Sequence, residues 1–262
     1  MARRPYRQAG WLVVLLLCVG CQEALSPQAR QLLQNGYAAS TAGNNQTVID
    51  SMDAFLRDNA KSARADEAYY LRGLAKYHSG DLAGAKADLQ AALDRTGKKE
   101  VAGKAALALG DLAWDADDMP AASDKYATAI VNINSSAPPA DHAAYRLGCA
   151  LQRLGRWQEA DVQFSRVAEL FAGGELASRA GRRMHCRAWT IQAGAFDNKS
   201  RAEAAARELV SRNLPASVQP TMGEGKLLFV VQVGRYSNHE QAAAALPSIS
   251  QYQPDAFVAA TR

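Results

Sequence analysis

WTIQAGAFDN, residues 189–198, returns in altered form as FVVQVGRYSN, residues 229–238. Both copies read aromatic, two residues, Gln, one residue, Gly, one residue, aromatic, one residue, Asn. Each alternates in hydrophobicity with the period of a strand, and each is followed by an alanine-rich stretch with helical character, SRAEAAARELVSRN and NHEQAAAAL. LPASVQP and DAFVAA supply a further short strand after each helix, and Pro247 is expected to stop the second helix. GEGK, from Gly223 to Lys226, reads as a turn between strands. The order is therefore βαββαβ, the ferredoxin-like split arrangement, with the two copies as the opening strands of its two halves, side by side at the sheet centre.

Alternation also sorts the side chains. Trp189, Ile191, Ala193, Phe229, Val231 and Val233 are assigned to the face that two helices can cover. Gln192, Gly194, Phe196, Leu228, Val230, Gln232, Gly234 and Tyr236 fall on the opposite face, which nothing else in the chain is left to cover. An open sheet face carrying amides and aromatics but no charge is a candidate binding surface. The alternative is that the glutamines satisfy strand ends while Phe196 and Tyr236 fold over the sheet edge as core. The duplicated Gln-x-Gly-x-aromatic motif in βαββαβ order resembles the SPOR domain, the sporulation-related repeat of bacterial cell-envelope proteins, over about residues 188–260. That resemblance implies binding of peptidoglycan glycan strands stripped of their stem peptides, through the open face and thus through Gln192, Gly194, Phe196, Leu228, Val230, Gln232 and Tyr236. The chain departs from the family at Ala195, where Ser is frequent, and at Leu228 and Val230, where an aromatic and an Arg are frequent.

Upstream a different period governs. Gly36, Gly73, Gly110 and Gly148 are spaced 37, 37 and 38 residues apart. Seven residues after each stand Gly43, Gly80, Asp117 and Gly155; twelve after, Val48, Ala85, Ala122 and Ala160; sixteen after, Met52, Leu89, Tyr126 and Phe164. Recurring offsets of this kind mark stacked helix pairs around tight turns. Pro120 sits in a first helical turn, where its missing N–H leaves no bond unmade. The pattern resembles the tetratricopeptide repeat, whose usual period is about 34 residues, and 174–186 reads as a capping helix. By register with that family, Tyr37, Leu74, Asp111 and Cys149 form one stripe of the concave face, and Leu33, Tyr70, Leu107 and Tyr145 its neighbour. Such an apolar-aromatic groove suits a protein segment; the alternative is that these side chains pack on each other and on the cap. Cys149 and Cys186, at the same register of successive first helices, are expected to be too far apart for a disulfide.

The first twenty residues read as an export signal, with basic MARRPYRQ before apolar WLVVLLLCVG, too short to span a bilayer. Gly20-Cys21 then resembles a bacterial lipoprotein signal, although Cys18 stands where Leu is preferred. That resemblance implies lipidation at Cys21 and, with Gln22 next, an outer-membrane anchor facing the periplasm. An ordinary cleaved leader, or a twin-arginine one, is the alternative.

The fold class expected is α+β: leader 1–20, TPR-like solenoid 21–186, SPOR-like domain 187–262. The 262 residues carry a formal charge of +4, three units of it from Arg3, Arg4 and Arg7, so no basic field remains for nucleic acid. No HExxH, GxSxG or Walker sequence occurs, and the four His are scattered. DADD at 115–118 reads as helix termination and capping, since it lacks calcium-loop spacing. The expectation is a non-enzymatic protein with no cofactor or metal. Its partners would be peptidoglycan and an unknown protein, and membrane through the lipid alone. The alternative function is an interaction scaffold whose sheet domain no longer holds sugar.

Overall fold

A computed structural model describes residues 25–223 and 225–262; the leader and Cys21 lie outside them. Among the described residues, eight helices form four antiparallel pairs: α1 (Pro27–Thr41) with α2 (Asn45–Asn59), α3 (Ala65–His78) with α4 (Leu82–Arg95), α5 (Lys99–Asp115) with α6 (Met119–Asn132), and α7 (Ala140–Arg153) with α8 (Trp157–Leu170). Helix α9 (Glu175–Arg183) follows.

Each pair turns by the same device. Gly43, Gly80, Asp117 and Gly155 hold φ of 71°, 85°, 60° and 73°, the left-handed region that glycine enters freely and Asp tolerates better than most residues. In the first three pairs an Asx side chain then caps the second helix. Asn44, Asp81 and Asp118 accept from the backbone N–H of Thr47, Gly84 and Ala121 at 3.2, 2.9 and 3.1 Å. Asp117 and Asp118 are thus turn and cap.

The recurring glycine and the side chain sixteen residues later are one packing unit. A Cβ placed on Gly73 would lie 2.8 Å from Leu89, on Gly110 2.6 Å from Tyr126, and on Gly148 2.6 Å from Phe164; on Gly36 it would strike Met52. All four seated side chains are fully buried. The absent side chain lets the paired helices approach, and the +16 residue fills the seam.

The C-terminal part contains β1 (Ala188–Phe196), α10 (Lys199–Ser211), β2 (Ala216–Gly223), β3 (Lys226–Tyr236), α11 (His239–Ser250) and β4 (Phe257–Thr261). The sheet order is β2-β3-β1-β4, every neighbour antiparallel, with the two motif strands central and β2 and β4 at the edges. Pro220 lies within edge strand β2, a position closed to it in a central strand. Ile191, Ala193, Val231 and Val233 pack against Ala202, Ala206 and Leu209 of α10 and Ile249 of α11. Pro247 does not stop α11, which runs on to Ser250. Ile249, 1% exposed, ties the last turn to the core, and that burial outweighs the one backbone bond the proline forfeits.

Candidate functional site

The register of the two central strands decides which side chains reach the open face. Gln192 pairs with Gln232, and both are half-buried on the side away from the helices. After that pair the ladder slips: Gln192 is opposite Gln232, but Gly194 is opposite Val231. A second slip separates Trp189↔Tyr236 from Ile191↔Val233, where Gly234 holds φ of 69°. These are β-bulges, and an extra residue exchanges the faces beyond it. The Thr190 hydroxyl, 1% exposed, donates to the Val233 and Gly234 carbonyls at 3.3 and 2.9 Å and pins the second bulge.

Consequently Phe196 and Tyr236 are not on the open face. Both pack against the core cluster of Ile191, Val231, Val233 and Ile249. Each ring lies over the motif glycine two residues earlier. A Cβ on Gly194 would be 2.9 Å from the Phe196 ring, and one on Gly234 2.6 Å from the Tyr236 hydroxyl. Gly194 is thus a seat for an aromatic ring. Burial pushes the Tyr236 hydroxyl pKa up.

What remains on the open face is a shallow groove of about 760 Å³ lined by Gln192, Gln219, Thr221, Val230, Gln232 and Thr261, among others. Val230 is only 6% exposed and Leu228 half-buried, so β3 offers its polar contact at Gln232. The Gln232 Oε1 accepts from Thr261 at a loose 3.5 Å, and the Gln192 amide has no side-chain partner among the described residues. Contrary to expectation, part of the chain borders this face: Arg182 of α9 and Cys186 line the groove, together with Arg235 and Arg262.

The inner face of the solenoid keeps only part of its expected lining. Leu33 and Cys149 are 3% and 5% exposed and belong to the core, because the stripe dips into the seams between pairs. Tyr70, Leu74, Leu107 and Tyr145 are half-buried and rest on that core. Asp111 accepts from the Tyr126 hydroxyl at 2.7 Å and is a structural acceptor. Tyr37, the most open of the set, donates to Glu67 at 2.7 Å. Partial burial and that bond push Tyr37 up to about 12. Glu67 is partly desolvated, which opposes ionisation, yet hydrogen bonds from Arg64, Lys98 and Tyr37 hold it at about 2. Cys149 and Cys186 are both free and buried, and burial raises both thiols. Cys186 lies beyond α9, between it and β1.

Sequence reasoning overlooked the joint between the two parts. The Trp157 ring lies 5.6 Å from that of Trp189, tilted at 47°, and Trp189 meets His239 edge-on at 4.8 Å. Asp161 holds Arg187 at 2.7 Å and the His185 backbone N–H at 2.9 Å. One signal was available. The position nine after the repeat glycine is Asn45, Leu82 and Met119 in earlier pairs and becomes Trp only in the pair that meets the sheet domain.

A helical-repeat solenoid is joined to a small split βαβ sheet domain. Residues 187–260 match the SPOR domain family, and the C-terminal part is a SPOR domain. The solenoid has TPR-type architecture. A tetratricopeptide repeat protein from Parabacteroides merdae is 15% identical, with a TM-score of 0.52 over 72% of this chain and 68% of its own, which speaks for the fold alone. MamA from Desulfovibrio magneticus is 11% identical, with a TM-score of 0.48 over 88% of this chain and 98% of its own. No curated protein matches the chain. SPOR domains are of the peptidoglycan-binding kind and occur in periplasmic or envelope proteins. The family match of the sheet domain supports a cell-wall-related role. Among the described residues no helix is long and apolar enough to cross a membrane.

Proposed function

We propose that this protein is a non-enzymatic envelope lipoprotein, anchored through Cys21 to the outer membrane and facing the periplasm. Its sheet domain holds peptidoglycan glycan strands, and its solenoid holds a protein partner, in organising the wall or the division site. The observation that carries the sugar reading is the Gln192–Gln232 register pair: two uncharged amides adjacent on an open face, each able to donate to and accept from sugar hydroxyls. The lining adds hydroxyls, apolar side chains and the guanidinium groups of Arg182, Arg235 and Arg262, donors that suit the hydroxyls of a glycan and the lactyl carboxylates exposed when its stem peptides are removed. The first test is sedimentation of the protein with amidase-treated sacculi. Gln192→Ala with Gln232→Ala should weaken binding about tenfold, since each neutral hydrogen bond contributes about 0.5–1.5 kcal/mol. Equal binding by the folded double variant would move the site elsewhere. A second reading, a scaffold whose sheet no longer holds sugar, is favoured by the apolar Leu228 and Val230. Absence of wild-type sedimentation would leave that reading standing. Cys21→Ser should release the protein from the membrane fraction; retention there would remove the anchor.

A further inference from the structure

A cavity of about 430 Å³ opens where α7 and α9 meet the sheet domain. Four guanidinium groups line it, those of Arg146, Arg153, Arg179 and Arg183, and no carboxylate does. Three carboxylates reach these arginines from outside. Asp117 is 2.6 Å from Arg153, Glu175 is 2.5 Å from Arg179, and Asp111 is 3.9 Å from Arg146. The side chains of Asp117 and Glu175 are 72% and 76% exposed, so water screens much of their pairing.

Arg183 has no carboxylate partner among the described residues, yet it is fixed. Gln152, 0% exposed, accepts from the Arg183 Nε at 2.9 Å and donates its own amide to the Arg183 backbone carbonyl at 2.8 Å. A fully buried amide thereby sets the orientation of a cation and leaves the rest of the guanidinium fork unused. Trp114 orders two more, with Arg146 at 4.9 Å and Arg153 at 5.8 Å from its ring. Trp189 also lines the cavity. It is 3% exposed, and its indole N–H is buried with no acceptor among the described residues. An orphaned buried donor is uncommon and calls for a ligand or water. Apart from the imidazoles of His142 and His239, 3.5 and 3.3 Å from Arg146 and Arg153, the fixed polar groups here are donors, several of them planar forks matched to carboxylate. The cavity ends the inner face of the solenoid, since Tyr145 lines both.

We propose that this cavity receives a carboxylate of an acidic peptide lying along the inner face of the solenoid, held by Arg183 and Arg179 with the Trp189 indole. The proposal rests on the reading that the inner face binds a protein segment. Trp114, Trp157 and Trp189, the tryptophans of the described residues, all lie at or beside the cavity, so their fluorescence reports its occupancy. The purified protein is titrated with an acetylated decapeptide of alternating Glu and Leu, with its Gln/Leu twin, and with inorganic phosphate. The Glu peptide should shift tryptophan emission and bind at least about tenfold more tightly than the twin, as expected for hydrogen bonds to a charged group. Affinity should fall with added salt. Arg183→Gln should remove that preference, and Arg179→Gln should reduce it. Arg156→Gln, an exposed arginine outside the cavity, should leave it intact. Far-UV circular dichroism confirms that each variant is folded; if Arg183→Gln fails to fold, Arg179→Gln carries the comparison. Equal binding of both peptides would overturn the cavity assignment while the inner-face reading survives. Binding of neither would overturn both. A response to phosphate alone would make the cavity a small-anion site and overturn the peptide assignment. Retained preference in a folded Arg183→Gln protein would do the same.

Discussion

The solenoid and the sheet domain both seat a large side chain on a repeated glycine, but over different sequence distances. In the solenoid the seat and its occupant are sixteen residues apart on paired helices, as in Gly148 and Phe164. In the sheet they are two residues apart on one strand, as in Gly234 and Tyr236. The first kind leaves the helical period undisturbed, so counting residues gives the right neighbours. The second coincides with a slip in the ladder, so counting residues beyond it gives the wrong face. A motif that looked like a ligand's contact set is divided by its own geometry, the glutamines outward and the aromatics inward.

The solenoid half of this comparison predicts the largest effect. Phe164→Ala should lower unfolding free energy by about 3–5 kcal/mol, the usual range for a buried aromatic, read from urea denaturation. A loss below about 1 kcal/mol would mean that the seam does not depend on its occupant. On the sheet side, Gly234→Ala forces a side chain into the left-handed region at roughly 1–2 kcal/mol and displaces the Tyr236 hydroxyl. It should melt earlier than Gly155→Ala, whose turn has open space around it. Equal melting of the two would show that the ring needs no seat.

The division of the motif is sharpened by pairing two variants. Phe196→Ala should lower the melting temperature while binding of the folded protein to amidase-treated sacculi stays within about twofold. Gln192→Ala should do the reverse, weakening binding several-fold with little change in melting. If Phe196→Ala abolished binding without loss of stability, the ring would belong to the open face after all.

A pH titration probes the solenoid's inner face. Glu67 is held at about 2 in the folded chain, against 4.5 when free. Its folded pKa is depressed, so its contribution to stability is complete above about 4.5 and disappears as pH falls toward 2. Thermal melting between pH 5 and 2.5 should therefore fall more steeply for wild type than for Glu67→Gln. Parallel curves would show that the Arg64–Glu67–Tyr37 cluster does not hold the charge. The smallest change expected is Asp117→Gly. It relieves a non-glycine residue at φ of 60° but removes the exposed pair with Arg153, worth about 0.2–1 kcal/mol. The two nearly cancel, so the melting temperature should move by only a degree or two.

Fold was legible in this sequence because the features that set it are periodic. The offsets from Gly36, Gly73, Gly110 and Gly148 located turns, seams and caps, and the twin phrases located the central strands and their helices. The open-face glutamines followed from the same alternation. Phe196 and Tyr236 did not, because a bulge is a one-residue irregularity in pairing between strands forty residues apart, and no single strand announces it. Leu33 and Cys149 were misplaced for a related reason: a stripe drawn on one helix does not show how deeply the next pair overlaps it. The joint was least visible, because Trp189 meets Arg183 and Trp157 only where two unlike periodicities join.

Edge strand β2 has a consequence of its own. An exposed strand edge invites another chain to add to it, and polymers of sheet grow that way. Pro220 interrupts that edge with a residue that has no N–H to offer, and β4 on the far side, Phe257–Thr261, is five residues long. Two copies meeting edge to edge would find no continuous row of donors through which to fuse, so the sheet is built to end at its own borders.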